Sequence, residues 1–325
     1  MSLLLDRILS ADLEVPDITL LESATVLEAS NVAAYLYGTN GKDLYSLNKD
    51  FPNIAPPWPN FFIEFAMPST VCMVTPEGSE MVPWEGPQAF GLHWMAGARG
   101  SQDFHLQQTL FKSLSDTALP EVRPIYLRAA EEAAWFGHVH LYSESRAFHP
   151  DGPVWLLLCP ITAAGRFFVC DHPEYGDSSI VAIEMPAEPV RWPLPIKPTI
   201  QRVIWMAIGT SLMTLSLCHC KNVLISPTTP PVRLSKKFER KHGKPLIQYN
   251  IINIQPMIRI LDVEGNASGD GLKHALHICR GHFKDYQVRG LFGREYLRGR
   301  YWWPAHVRGD SEQGFIVSDY MVTRS

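Results

Sequence analysis

The sequence has few of the features that mark specialised protein classes. Its six cysteines include no Cys-x-x-Cys pair and follow no regular spacing, which excludes a disulfide-rich miniprotein. The 22 glycines and 26 prolines make 48 of 325 residues, and 19% of the residues are charged. These values exclude collagen, coiled coils and disordered chains. We detect no internal repeat, so the sequence predicts a globular protein whose length suits about two domains.

The sequence also has no recognisable signal peptide and no long apolar run. Residues 1–16 lack the basic segment and apolar core of a signal peptide, so we expect a cytoplasmic protein with reduced cysteines. The longest run without Asp, Glu, Lys or Arg covers the 18 residues 203–220 and includes Gly, Ser, Thr and His. A bilayer span needs about 20 predominantly apolar residues. We therefore predict a buried core helix over residues 199–220 and no membrane partner.

Positive charge is scarce in the first two thirds of the chain. Residues 1–232 hold 13 Lys and Arg against 24 Asp and Glu, a net charge of −11, whereas residues 233–325 hold 16 against 9, a net charge of +7. Five prolines within residues 186–198 predict an extended junction between an acidic mixed α/β portion, 1–190, and a basic α+β portion, 191–325. The asymmetry favours an anionic partner, and a merely solvated basic surface is the alternative.

Hydrophobic patterns predict an α+β fold. In the N-terminal portion, apolar residues between Leu20 and Tyr35 recur at helical spacing, and residues 61–66 form a buried strand whose Glu64 needs a structural partner. Residues 154–160 and 166–170 are expected to form a hairpin around Gly165. The C-terminal portion reads as the 199–220 helix, a strand at 222–226, and then an antiparallel sheet. The strands of that sheet are expected at 247–255, 273–283, 300–308 and 314–322.

A basic segment interrupts the C-terminal portion. Residues 233–246 hold six Lys and Arg against one Glu, and Gly243 and Pro245 are expected to end the segment. Its side chains are candidates for contacts to a nucleic-acid backbone that weaken as salt rises. The candidate contact residues are Lys236, Lys237, Arg240 and Lys241, with Lys284 added from a later strand.

Four of the twelve histidines fall within 33 residues near the C-terminus. Strand alternation sorts the first group: Arg280, His282, Lys284 and Tyr286 share one face, whereas His277, Cys279 and Phe283 share the other. On a second strand, His306 and Arg308 share a face. If the two strands pair in the right register, two histidines and two arginines converge on one surface.

Such a surface suits RNA cleavage without a metal. One histidine would deprotonate the 2′-hydroxyl and the other would protonate the leaving oxygen, since histidine titrates near neutral pH. Arg280 and Arg308 would hold the phosphate, and Tyr286 would stack on an unpaired base. The catalytic set is therefore His282, His306, Arg280, Arg308 and Tyr286.

No metal and no cofactor is predicted. Zinc could use His274, His277 and His282 with Cys279, but alternation puts His277 and His282 on opposite faces, and zinc needs converging ligands. A second candidate pair, His138 and His140, shares one face of a strand at residues 137–142. No further ligand lies near that pair in the sequence.

Parts of residues 200–325 resemble a known group of sequences. The segment Leu234-Ser-Lys-Lys-Phe-Glu-Arg-Lys-His-Gly-Lys-Pro-Leu, the string Arg280-Gly-His-Phe-Lys-x-Tyr, Leu291-Phe-Gly-Arg, and Trp303-x-x-His-x-Arg-Gly resemble a group of uncharacterised phage and bacterial proteins. That resemblance implies no activity. The architecture is also loosely similar to RelE/barnase-like ribonuclease folds, in which an antiparallel sheet bears basic and histidine residues.

The sequence leaves two hypotheses open and does not decide whether the protein is an enzyme. The first is a protein that binds or cleaves nucleic acid, with RNA as the expected partner. The second is a non-catalytic binding or scaffold protein that uses its basic surface to dock a protein partner.

Overall fold

The fold is described from a computed structural model. It describes residues 4–10, 18–37, 51–75, 78–116, 123–144, 155–166, 181–184, 198–254, 275–279, 282–303, 306–308 and 310–316. Helices and strands are both abundant in these residues, and the α+β class predicted from the sequence is confirmed. The helices are α1 (Leu4–Ser10), α2 (Ile18–Ser23), α3 (Ser30–Tyr37), α4 (Gln102–Ser115), α5 (Arg123–Glu132), α6 (Pro198–Cys218) and α7 (Val232–His242).

The strands form one large mixed sheet and three small ones. They are β1 (Thr25–Glu28), β2 (Asn60–Ala66), β3 (Thr70–Thr75), β4 (Gly78–Pro83), β5 (Ala89–Ala98), β6 (Trp135–Ser143), β7 (Trp155–Ile161), β8 (Val181–Glu184), β9 (Val223–Thr228), β10 (Tyr249–Ile254), β11 (Ala275–Cys279), β12 (His282–Asp285), β13 (Arg300–Trp303), β14 (His306–Arg308) and β15 (Asp310–Ile316). The large sheet has the order β8-β7-β6-β5-β2-β1-β10-β9, and the small ones are β14-β11-β15, β12-β13 and β3-β4. In the large sheet β1 runs parallel to β2 and β10, whereas β2, β5, β6, β7 and β8 pair antiparallel in succession.

The chain divides into two compact units. The first consists of Met1–Cys218 and Ile225–Ile252, and the second of His219–Leu224 and Asn253–Ser325. Helices α6 and α7 therefore belong to the first unit. The predicted proline-rich junction lies almost wholly outside the described residues, which resume at residue 198, so that junction stays a prediction.

Helices cover both faces of the large sheet at β2. On one face Phe61 stacks on Trp94 of β5, with ring centroids 5.8 Å apart, and Trp94 Nε1 donates to Ser211 Oγ of α6 at 2.8 Å. On the other face Phe62 packs with Tyr142 and with buried leucines of α1. Burial on both faces explains why β2 is a continuous apolar run rather than an alternating one, and the predicted strand at 61–66 is confirmed.

Glu64 is the polar exception in β2, and it has a structural partner as predicted. Its carboxylate accepts hydrogen bonds from the backbone N–H groups of Leu4, at 2.5 Å, and Leu5, at 2.9 Å. These two N–H groups begin α1 and have no partner within the helix. Burial raises the pKa of Glu64 to about 7, although the two hydrogen bonds oppose that shift.

The 21-residue helix α6 is buried, as its uncharged sequence predicted. Residues 206–217 are buried except for the half-buried Gly209, and the hydroxyl of Tyr37 on α3 donates to the Met206 carbonyl at 2.8 Å. Among the residues that the structure describes, no helix is long and apolar enough to cross a bilayer.

Two local predictions needed correction. The helical spacing between Leu20 and Tyr35 does not mark one helix, because β1 lies between α2 and α3. Val26 and Leu27 of β1 are both buried, and β1 is hydrogen-bonded between β2 and β10, so long-range pairing overrides the local pattern. The first strand of the predicted 154–170 hairpin is β7, with Gly165 in the left-handed region at φ 72°, but residues 167–170 lie outside the described part.

The prediction of a single antiparallel sheet in the C-terminal portion was also wrong in detail. The predicted strand at 273–283 is two strands, β11 and β12, and that at 300–308 is likewise β13 and β14. Strand β11 pairs antiparallel with β14 but parallel with β15, and β12 pairs antiparallel with β13.

Candidate nucleic-acid interface

The strand register places the two candidate catalytic histidines in different strand pairs. His282 lies opposite Trp303 in the β12–β13 pair, and His306 lies opposite Cys279 in the β11–β14 pair, where Arg308 faces His277. The side chains of His306 and Arg308, and the whole of Arg280, lie outside the described part of the structure. Convergence of the four side chains therefore stays a prediction, and no described strand pair brings β12 beside β14.

Two other members of the predicted set make packing contacts. Lys284 Nζ lies 4.4 Å from the centroid of the Trp303 ring, a cation–π contact on the face that also bears His282. The Tyr286 ring meets Tyr301 edge-on, with centroids 5.8 Å apart, in a small cluster around the fully buried Leu291. Both contacts stabilise the second unit. The nucleic-acid roles predicted for Lys284 and Tyr286 stay predictions.

The predicted basic segment forms helix α7. It begins after Pro231 and ends at Gly243, whose left-handed φ of 77° terminates the helix and lets its N–H donate to the Glu239 carbonyl at 2.7 Å. The expected stop at Gly243 is confirmed. Three basic residues in the last turn, Arg240, Lys241 and His242, lie where the helix dipole favours positive charge.

One side of α7 is partly shielded from solvent. Ser235, Phe238 and His242 are half-buried at positions that share one helical face. The Phe238 and His242 rings lie 4.4 Å apart, and Ser235 Oγ accepts a hydrogen bond from the Leu246 N–H at 3.1 Å. The first contact lies within the helix, and the second joins the helix to the segment that follows it.

The other side of α7 is the basic face, defined as Arg233, Lys236, Lys237, Arg240 and Lys241. All five residues are exposed. Within the described residues none of the five makes an ion pair, whereas nearby Lys244 is paired with Glu22 at 2.5 Å. Eleven helical residues span about 16 Å at about 1.5 Å per residue. The basic face is therefore a compact row of positive charge that no described acidic residue pairs with.

The predicted pair His138 and His140 lies in β6 and is joined by a third histidine. The rings of His138 and His140 are 4.8 Å apart, and His93 of β5 lies directly opposite His140 with its ring 6.2 Å away. His93 Nε2 is 2.8 Å from Asn60 Oδ1. No group of side chains within the described residues has the arrangement of a metal site. The third histidine was missed because strand register is not visible in the sequence.

Burial keeps His93 and His140 neutral. It lowers the pKa of His93 to about 4 and that of His140 to about 3, and the neighbouring His138 lowers both further. A buried imidazole loses hydration that its charged form needs. The histidines are therefore part of the core of the first unit.

Lowering the pH from 7 to 5 is expected to reduce the free energy of unfolding by about 2 kcal/mol. Both histidines titrate near 6.5 when unfolded, so their stabilising contribution is complete above pH 6.5 and is lost as the pH falls toward 4. Glu64 acts oppositely: its pKa rises from 4.5 to about 7 on folding, which adds stability as the pH falls. The stability lost through the two histidines exceeds the stability gained through the one carboxyl. Urea unfolding at both pH values measures the net change in the free energy of unfolding.

The Glu64→Gln variant is the control for that prediction. Without the opposing carboxyl, the loss between pH 7 and pH 5 should grow to about 4 kcal/mol. If the histidines are not held neutral, the free energy of unfolding of Glu64→Gln should be the same at both pH values, and the wild type should become more stable at pH 5.

Comparison of the chain with protein-family models, with curated proteins and with solved structures finds no match. The two resemblances stated from the sequence therefore stay expectations.

Proposed function

We propose that the protein binds nucleic acid through the basic face of α7. The observation that supports this proposal is the row of five exposed cations that make no ion pair within the described residues. Lys and Arg in such a row neutralise backbone phosphates and release the counterions bound there. Successive phosphates of one strand lie about 3.4 Å apart along a duplex, so a helix of this length reaches about five of them.

The proposal concerns binding rather than cleavage. The candidate acid and base, His282 and His306, belong to different strand pairs, whereas the phosphate-binding residues of α7 share one face of one helix. RNA remains the expected nucleic acid, and the contacts proposed for α7 are to phosphates, which carry no sequence information.

The salt dependence of binding tests the proposal. Anisotropy of a labelled RNA duplex, titrated with the protein at about 50 to 300 mM KCl, should give a log–log slope of about −4.5, because each of the five phosphate contacts contributes about −0.9. A labelled single strand should give a shallower slope, near −3.5. A slope between 0 and −1 would show that the row of cations does not bind phosphates.

The basic face could instead bind one of two other anionic surfaces, and each is tested in a further arm of the same experiment. Polyglutamate stands for the acidic surface of a protein partner, and vesicles of phosphatidylserine and phosphatidylcholine stand for a membrane. Val232 and Leu234 at the start of α7 are exposed, which makes the vesicle arm necessary. Nucleic acid should bind at least tenfold more tightly than either; equal or tighter binding of polyglutamate would favour a docking or scaffold role instead.

A further inference from the structure

The second unit presents an exposed tyrosine on a basic turn. Residues 286–299 connect β12 to β13 and contain two 3-10 turns, Leu291–Gly293 and Glu295–Leu297. Tyr296 lies in the second of these turns and is 70% exposed. Its hydroxyl accepts a hydrogen bond from Arg294 Nη1 at 3.0 Å, so an arginine is fixed beside the ring.

The turn is held against the hairpin. Leu291 is fully buried and packs with Tyr301, and the Tyr301 hydroxyl donates to the Leu297 carbonyl at 3.1 Å. At Gly290, with φ 70°, a Cβ would lie 1.7 Å from the Arg294 carbonyl oxygen, so only glycine fits there. The Tyr296 ring is thus presented by an already ordered segment, which reduces the entropy lost when a ligand binds.

The turn is also positively charged. Residues 285–300 contain four arginines and two acids, a net charge of +2. Both acids are paired, Glu295 with Arg298 at 2.7 Å and Asp285 with Arg300 at 3.1 Å. Arg289 is exposed and makes no ion pair with a described residue. Positive charge around an exposed ring favours a ligand that offers both an anion and a flat surface.

We propose that this turn is a stacking platform for an unpaired base of a single-stranded nucleic acid. A base would stack on the Tyr296 ring while Arg289 and Arg294 contact the flanking phosphates. Duplex bases are already stacked on one another, whereas bases of single strands are free to stack on aromatic side chains. The proposal rests on the proposed function, that the protein binds nucleic acid, and adds that unpaired strands are among its ligands.

The test compares wild type, Tyr296→Ala and Tyr296→Phe on two probes: labelled oligouridine of about 12 nucleotides, within the usual site size, and an RNA duplex of the same length. Tyr296→Ala should weaken oligouridine binding about 5- to 100-fold, which is the range for loss of one stacked base. Tyr296→Phe keeps the ring and should bind within about twofold of wild type. Duplex binding and the salt slopes should not change, because no proposed phosphate contact is removed.

Each outcome separates this inference from the proposed function. If Tyr296→Ala binds oligouridine as wild type does, the platform is overturned, while duplex binding with a steep salt slope leaves the α7 proposal intact. Equal weakening on both probes also overturns it, because a stacking contact is specific to unpaired bases. Wild type that binds neither probe overturns both proposals. Photo-crosslinking of 5-iodouridine RNA to the 295–300 peptide supports the platform independently of affinity.

Discussion

Replacing four cations of α7 should nearly abolish nucleic-acid binding. The quadruple variant Lys236→Gln, Lys237→Gln, Arg240→Gln, Lys241→Gln leaves Arg233 as the remaining cation of the basic face. At about 0.1 M salt, the loss of four phosphate contacts at about −0.9 each corresponds to roughly a thousandfold loss of affinity. The salt slope should fall from about −4.5 to about −1. Anisotropy with the RNA duplex measures both quantities.

The variant should still fold, which makes a loss of binding interpretable. Gln has nearly the same helix propensity as Lys and Arg, and all four replaced side chains are exposed. The substitutions remove like-charge neighbours three and four positions apart, which offsets the lost interaction with the helix dipole. Circular dichroism and the thermal midpoint should therefore match wild type.

A control for net charge lies on another helix of the same unit. Arg123 and Arg128 of α5 are exposed, and their replacement by Gln lowers the positive charge without touching α7. That control should change affinity less than threefold, as expected for a general field effect. If the control weakens binding as much per charge as the α7 variant does, net charge rather than the basic face is responsible.

Asn222→Ala should cause a large loss of stability in the second unit. The buried Asn222 side chain makes the two hydrogen bonds to the Trp302 backbone that a neighbouring strand would make. Its Nδ2 donates to the Trp302 carbonyl at 2.7 Å, and its Oδ1 accepts from the Trp302 N–H at 2.8 Å. Both residues are essentially inaccessible. Alanine removes both hydrogen bonds to a buried backbone and should cost about 3 kcal/mol, measured as a shift in urea unfolding.

The matched control is Asn253→Ala. Asn253 is exposed in β10, so its truncation should change the free energy of unfolding by less than about 0.5 kcal/mol. A similarly small effect at Asn222 would mean that the 219–224 segment is not held to β13 by this side chain. The adjacent bond from the Lys221 N–H to the Arg300 carbonyl, 2.8 Å, would then carry that attachment.

The sequence predicted the helices and strands that are determined by residues close together in the chain. The end of α7 follows from Gly243 and Pro245, because glycine adopts the left-handed conformation and proline cannot continue a helix. The strand at Phe61 follows from the mainly apolar run 61–66, and the burial of α6 follows from the uncharged run 203–220. In each case the deciding residues are close together in the sequence.

Features that depend on strand pairing were not predictable in this way. Leu27 fits a helical spacing, yet it lies in β1 because β2 and β10 flank that strand. His93 meets His140 only through the β5–β6 register. The same limit applies to His282 and His306, whose alternation within each strand says nothing about which strands pair.

The basic face of α7 was predictable in part from the sequence. Its charge and its end were visible in the sequence, and helical periodicity then places the five cations on one side. Their freedom from ion pairs within the described residues required the structure, since Lys244 next to them is paired with Glu22, more than 200 positions away.

The most direct measurement is lysine footprinting with and without RNA. An amine-reactive reagent modifies exposed lysines, and mass spectrometry reports the extent at each site. Bound RNA should protect Lys236, Lys237 and Lys241 of α7, whereas Lys112 of α4, which lies 4.0 Å from Glu131, should keep its reactivity. Unchanged modification of the three α7 lysines under saturating RNA would show that the basic face of α7 does not bind RNA.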